Sequence, residues 1–266
     1  MPHANINGRN IYYELHGEGA DIVTVLNGLT MSTVAWGALV KDFAPHTRIL
    51  LLDLCGQGQS DRPDEPIYPL ARQASDVAGL LEHLGIAKTN MIALSYGGVV
   101  AQHFALNHPE KLNKLVLTDT LAYNDEVNQK LGDVLEEAQN IGGSGLRFRV
   151  MLPITFGNNF LKMAAPLIPA MEAASIAFPW QAVQSLIAGT MTHDLREQHK
   201  NIKAETLMIV GEDDRFTPIY QARLIANGIP GAKLRIIPGL GHAAPIEAPP
   251  VWNPIALSFL QGTYAD

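Results

Sequence analysis

Short apolar runs separated by longer stretches of helical spacing set the rhythm of this 266-residue chain. Asp21–Leu26 (DIVTVL) reads as a buried strand, Val34–Phe43 as a helix, and Arg48–Asp53 (RILLLD) as the next strand. From Leu70 to Leu84 the side chains Ala71, Ala74, Val77, Ala78, Leu81 and Leu84 recur at helical intervals, and Gly85 stands where a helix should stop. Asn90–Leu94 is a predicted strand, Val99–His108 a helix and Lys114–Asp119 a strand. Further on, Glu205–Val210, Pro218–Asn227, Lys233–Ile237 and Pro250–Leu260 resume the alternation. Apolar strands alternating with helices predict an α/β fold, a mostly parallel doubly wound sheet with helices on both faces. Ile11–Leu15, preceded by Asn7-Gly8, predicts an antiparallel hairpin at the sheet edge.

Between Thr120 and about Ala204 the alternation stops. Helical patterns, prolines at 153, 166, 169 and 179, and no strand pattern predict a helical cap over residues 121–204, inserted after the sixth strand. Residues 1–120 and 205–266 then form the core. The stretch from Met151 to Trp180 is strongly apolar, with only Lys162 and Glu172 as charges. Any one of these side chains reads first as packing that seats the cap. As a set they also wall a pocket, with Phe156, Phe160 and Trp180 as candidate substrate-binding residues beside Met163, Leu167, Met171 and Phe178.

Composition narrows the class. A hydrophobic content of 47% supports a large core, and a formal charge of −7 argues against nucleic acid or an anionic membrane as partner. The single cysteine, Cys55, excludes an intrachain disulfide and a cysteine-rich metal cluster. The N-terminal Met-Pro-His-Ala-Asn lacks the charged and apolar regions of a secretory signal. No apolar run reaches the roughly 18 residues of a membrane span. The expectation is a cytoplasmic protein; a homo-oligomer is compatible with all of this.

The chemistry lies at the ends of predicted strands. Ala93-Leu94-Ser95-Tyr96-Gly97-Gly98 follows a strand and precedes a helix, where small residues let a serine sit on a sharp turn with its hydroxyl exposed. By itself a small-x-Ser-x-Gly string is weak evidence. A serine nucleophile needs a base, and the base an orienting acid. His242 lies in the Gly-rich Pro238-Gly239-Leu240-Gly241-His242, just after the last predicted strand. Asp214 lies in Gly211-Glu212-Asp213-Asp214, directly after the preceding strand. Both stand at strand C-termini, where open α/β sheets build their sites. The acid is read as Asp214, with Asp213 and Asp119 as alternatives, Asp119 serving equally well as a cap for the next segment.

The other eight histidines (His3, His16, His46, His83, His103, His108, His193 and His199) read as structural. Oxyanion donors are expected from the backbone N–H groups of Tyr96 and Leu29, Gly28 allowing close approach. The Asn27 amide reads as a brace between loops, with substrate contact as the alternative. The glycines of Asp53-Leu-Cys-Gly-Gln-Gly-Gln-Ser-Asp61 suggest a tight turn, with no lysine following as a phosphate loop requires. Cys55 reads as a small packing residue, and no cofactor or metal is called for.

Together these segments (Leu26–Thr30, Asp53–Asp61, Ala93–Gly98, Val210–Pro218, Gly239–His242 and the Glu247-Ala-Pro beyond) resemble the α/β-hydrolase superfamily, in its serine-triad branch with an inserted helical cap. The resemblance spans nearly the whole chain. It implies Ser95 as nucleophile, Asp214 as acid, His242 as base, and Leu29 with Tyr96 as oxyanion hole. The sequence departs from the family pattern at Asn27-Gly28, where His-Gly is usual, and at Cys55 and Gln57, where Arg and His are usual. The Asn-Gly start of NGLTMSTVAW is locally similar to hydroxyacyl-carrier-protein transacylases and rhamnolipid-precursor synthases, which transfer acyl groups. The expected activity is hydrolysis of a carboxylic ester or thioester of a small to medium apolar acyl substrate. Acyl transfer from a carrier thioester, cofactor-free carbon–carbon hydrolysis and perhydrolysis share the same triad. A non-enzymatic binding protein on the same fold is the remaining alternative.

Overall fold

The computed structural model describes residues 2–265. Its centre is an eight-stranded sheet built from β1 (His3–Ile6), β2 (Arg9–His16), β3 (Ile22–Leu26), β4 (Arg48–Leu52), β5 (Thr89–Leu94), β6 (Leu112–Thr118), β7 (Glu205–Gly211) and β8 (Lys233–Ile237). The strand order is β1-β2-β4-β3-β5-β6-β7-β8. β1 and β2 pair antiparallel through Asn7 (φ 52°) and Gly8 (φ 84°), the two positive-φ positions that a tight hairpin turn requires. β2 runs antiparallel to β4, and from β4 to β8 every neighbour is parallel.

The apolar runs are continuous because each strand is covered on both faces. Leu50, Leu52, Met91, Ala93, Leu115, Leu117, Met208 and Val210 face one core, packed by α2 (Leu70–His83), α3 (Tyr96–Asn107) and α8 (Ile219–Gly228). Their alternating neighbours Ile49, Leu51, Ile92, Val116, Leu207 and Ile209 face the other, packed by α1 (Gly37–Phe43) and α10 (Pro249–Gln261).

Predicted and observed boundaries differ by a few residues. The largest shift is at α3, which starts at Tyr96 rather than Val99, because Ser95 itself turns the chain from strand to helix. The predicted Val34–Phe43 helix divides into a 3-10 turn, Thr33–Trp36, followed by α1.

The connections place the site. After β3 the chain crosses to β4 on one side, then returns through α2 to β5 on the other. This reversal opens a crevice at the C-terminal ends of β3 and β5, the place where open sheets receive ligands. The C-terminal ends of all six parallel strands lie along this edge, followed in turn by the Asn27, Asp53, Ser95, Asp119, Asp214 and His242 loops.

Between β6 and β7 the chain forms α4 (Glu126–Thr155), α5 (Asn158–Met163), α6 (Ile168–Ile176) and α7 (Trp180–Thr190). Its entry and exit are pinched together: Tyr123 and Asp194 form an antiparallel bridge, and Leu195 N–H donates to the Ala122 carbonyl at 3.1 Å. Among the described residues no single helix is long and apolar enough to cross a membrane. The bent pair Asn158–Ile176 and Trp180–Thr190 reaches that length and apolarity only across an 87° break.

The β5–α3 turn leaves no room at Gly97, where a Cβ would stand 2.6 Å from the Leu26 carbonyl and 2.7 Å from that of Asn27. Gly97→Ala should lower stability by about 1–3 kcal/mol through overpacking, read from the urea midpoint. An unchanged midpoint would mean that β3 and the turn are not in this contact.

Candidate active site

Ser95 has φ 53° and ψ −116°, a strained conformation that a serine adopts only when its surroundings impose it. Those surroundings are specific. Ser95 N–H donates to the Thr118 carbonyl at 2.9 Å, and its own carbonyl accepts from Thr120 Oγ1 at 2.8 Å and from Val99 N–H at 3.1 Å. The half-buried hydroxyl is left facing His242, with Nε2 2.8 Å from Ser95 Oγ. On the far side of the ring, Nδ1 is 3.0 Å from Asp214 Oδ2.

Asp214 is completed by its own loop. Oδ1 accepts N–H groups from Phe216 and Thr217, both at 2.8 Å, and Oδ2 accepts the Thr217 hydroxyl at 2.6 Å. The Phe216 ring packs against the imidazole in a T-shaped arrangement, with centroids 4.9 Å apart. An Nδ1–H donated to Asp214 leaves the Nε2 lone pair for the serine proton.

The alternative acids are occupied elsewhere. Asp119 is fully buried, and its carboxylate accepts Gly211 N–H at 2.9 Å and Ala244 N–H at 3.1 Å. It ties the start of the acid loop to the residues after His242. The Asp213 side chain makes no hydrogen bond to the histidine among the described residues.

The loop that would supply the second oxyanion donor is held from below. Asn27 is fully engaged, donating to the Leu52 carbonyl at 3.0 Å and to Asp53 Oδ1 at 3.1 Å while accepting Trp36 Nε1–H at 2.7 Å. It is the brace that the sequence suggested. Gln57 Nε2 donates to the Gly28 carbonyl at 2.8 Å and to that of Leu29 at 3.2 Å. In a trans peptide the N–H points opposite the C=O, so Leu29 N–H is turned away from Gln57. This role of Gln57 was missed in the sequence, where it registered only as a departure from a family pattern. Cys55 is buried, donates to the Asp61 carbonyl, and burial pushes its thiol up to about 11.

Of the predicted pocket residues, Phe156 stacks on Phe160 with centroids 4.6 Å apart, directly after Thr155, whose carbonyl meets the His242 loop. Trp180 carries the Arg147 guanidinium on its face at 4.6 Å. Arg147 is buried and, among the described residues, hydrogen-bonds neutral groups, Gln139 and Ser175, both at 3.2 Å, so the inserted segment holds a cation that a count over 151–180 does not include. Among the described residues, no group of three or more His, Cys, Asp or Glu is arranged to hold a metal ion.

The chain is similar to several known proteins. The sequence family described as the alpha/beta hydrolase fold matches residues 21–142. A solved alpha/beta hydrolase enzyme from a Medee basin deep-sea metagenome library superposes with a TM-score of 0.88 at 29% identity, covering 100% of this chain and 99% of its own. This chain has the α/β-hydrolase fold. A "Putative carbamate hydrolase RutD" of Azorhizobium caulinodans is 26% identical over 97% of this chain and 98% of its own length. A poly(3-hydroxyalkanoate) depolymerase of Ectopseudomonas oleovorans is 29% identical over 89% and 83%.

Burial disfavours charge on both His242 and Asp214, but their mutual attraction and hydrogen bond win. The imidazole is held above its ordinary pKa and the carboxyl below it. The signs then differ. The stability contributed by His242 is fully present below about pH 6.5 and fades as pH rises through its raised folded-state value. That from Asp214 is present above about pH 3.9 and is lost as pH falls through its lowered value. Followed by NMR, the His242 imidazole should therefore titrate above about 6.5, and Asp214→Asn should move it down. An identical titration in both proteins would show that the carboxylate does not act on the ring.

Proposed function

We propose that this enzyme is a serine hydrolase that cleaves a carboxylic ester or thioester through an acyl-enzyme. The carrying observation is the unbroken chain from Ser95 Oγ to His242 Nε2 at 2.8 Å and from Nδ1 to Asp214 at 3.0 Å. In the proposed reaction Ser95 Oγ attacks the acyl carbonyl as its proton passes to Nε2, and Asp214 stabilises the imidazolium. The oxyanion is received by the N–H groups of Leu29 and Tyr96. As the carbon–oxygen or carbon–sulfur bond breaks, Nε2 returns the proton to the leaving group. Water, deprotonated by the same nitrogen, then releases the acid and restores Ser95.

Hydrolysis is favoured over acyl transfer because the Asn-Gly start that resembled acyltransferases is accounted for by packing: Asn27 braces Leu52, Asp53 and Trp36. The relative named as a putative carbamate hydrolase is in line with this reading. The α4–α7 segment serves in this reading as a cap, with Phe156, Phe160 and Trp180 toward the acyl group.

Ser95→Ala should lower kcat on p-nitrophenyl esters by about 10⁴-fold with folding intact, and near-normal turnover would end the reading. Asp214→Asn should cost roughly 10³–10⁴-fold and Asp119→Asn far less; the reverse order would make Asp119 the acid. Along an unbranched acyl series, kcat/KM should rise by up to about 0.8 kcal/mol per CH₂. Phe156→Ala and Phe160→Ala should flatten that rise, and an unchanged profile in both would return them to packing.

A further inference from the structure

Glu247 takes no part in the proposed reaction, yet it is buried and its carboxylate bonds to two separate segments. Oε1 accepts N–H from Gly241 at 3.0 Å and from Ala243 at 3.4 Å, the two neighbours of His242. Oε2 accepts N–H from Gly157 at 3.0 Å, in the turn between α4 and α5. The same two segments meet again where His242 N–H donates to the Thr155 carbonyl at 2.6 Å. They touch backbone to backbone: a Cβ on Gly241 would lie 2.4 Å from the Thr155 carbonyl and 2.6 Å from Gly157 N. A Cβ on Gly157 would lie 2.6 Å from the Gly239 carbonyl. No Lys or Arg pairs with Glu247 among the described ion pairs, so its burial is offset chiefly by these N–H groups, with the nearby His242 imidazole adding to them.

We propose that Glu247 is a positioning residue that makes the alignment of His242 toward Ser95 conditional on docking of the 155–157 strap. The inference rests on His242 being the base. Three carboxylates face the imidazole: Asp214 from the loop after β7, Asp119 from the end of β6, and Glu247 from α9 (Ala244–Glu247). Only Glu247 also bonds its carboxylate to the inserted helical segment. Pulling the strap away would leave Gly157 N–H without its acceptor and strip the Thr155 carbonyl from His242 N–H. Strap and histidine loop therefore move as one body, and a cap that lifts at this point takes the base out of register.

The test uses the full chain with p-nitrophenyl butyrate as probe, comparing Glu247→Gln, Gly157→Ala and the double variant for kcat, KM, pH profile and melting temperature. Glu247→Gln keeps the shape and one acceptor oxygen but turns an amide NH₂ toward one of the N–H donors. It should lower kcat by about 10–100-fold, the scale of a small misplacement of a catalytic group, with KM within about threefold. Because a negative charge beside the ring is removed, its acid limb should also move to lower pH. Gly157→Ala keeps that charge and should lower kcat comparably with the limb in place. In the double variant the losses should fall short of the product of the single ones, since both break the same contact. Variants that melt earlier but keep wild-type kcat and acid limb would overturn the proposal, as would losses that multiply. If Glu247→Gln does not fold, an undiminished kcat in Gly157→Ala overturns it alone. Retained activity in Ser95→Ala would defeat the hydrolase reading instead, leaving the two failures distinguishable.

Discussion

One backbone conformation organises this molecule: Ser95 held at φ 53° and ψ −116° between β5 and α3. A non-glycine residue there costs on the order of 1–3 kcal/mol and persists only where its neighbours over-determine it. The neighbours do so from three directions: Thr118 and Thr120 hold the peptide groups on either side of the serine, and Gly97 lets the turn press on β3. The strand thereby passes the chain to a helix within one residue, and Oγ projects from the sheet edge toward His242.

Electrostatics explains the rest of the arrangement. Three carboxylates surround one imidazole, and each has different partners. Asp214 bonds the ring, Asp119 bonds the backbone of the two flanking loops, and Glu247 bonds the histidine loop and the inserted segment. Burial and the charge of Asp214 push the Asp119 carboxyl well above the usual range, while the ring keeps Asp214 below it. The same field that supports the imidazolium opposes the neutral base at rest. In the proposed reaction, rising pH therefore gains activity and gives up part of the stability of the His242–Asp214 pair.

The fold was legible because parallel strands covered on both faces read as continuous apolar runs, and β8 was bounded to the residue. Ser95, Asp214 and His242 were legible because each lies in the loop that follows a recognisable strand, and the structure brings the three together. Asp214 was already preferred to Asp119 from the sequence although both follow strands, and the bonding separates them: Asp214 bonds the ring, Asp119 only backbone N–H groups. Gln57 and Glu247 were not legible as parts of the site. Gln57 acts on carbonyls 28 and 29 residues away, and Glu247 on an amide 90 residues away. No periodicity encodes such contacts. The packing of the buried Arg147 on Trp180 was not legible either, because Arg147 lies just outside the apolar Met151–Trp180 stretch.

The claim that bears the most weight is that His242 activates the Ser95 hydroxyl. Labelling with a fluorophosphonate, located by peptide mass spectrometry across a pH series, tests it most directly. One adduct per chain should form on Ser95, at a rate that falls as pH drops through the raised pKa of His242. An adduct on another residue, or a Ser95 labelling rate indifferent to that titration, would contradict it.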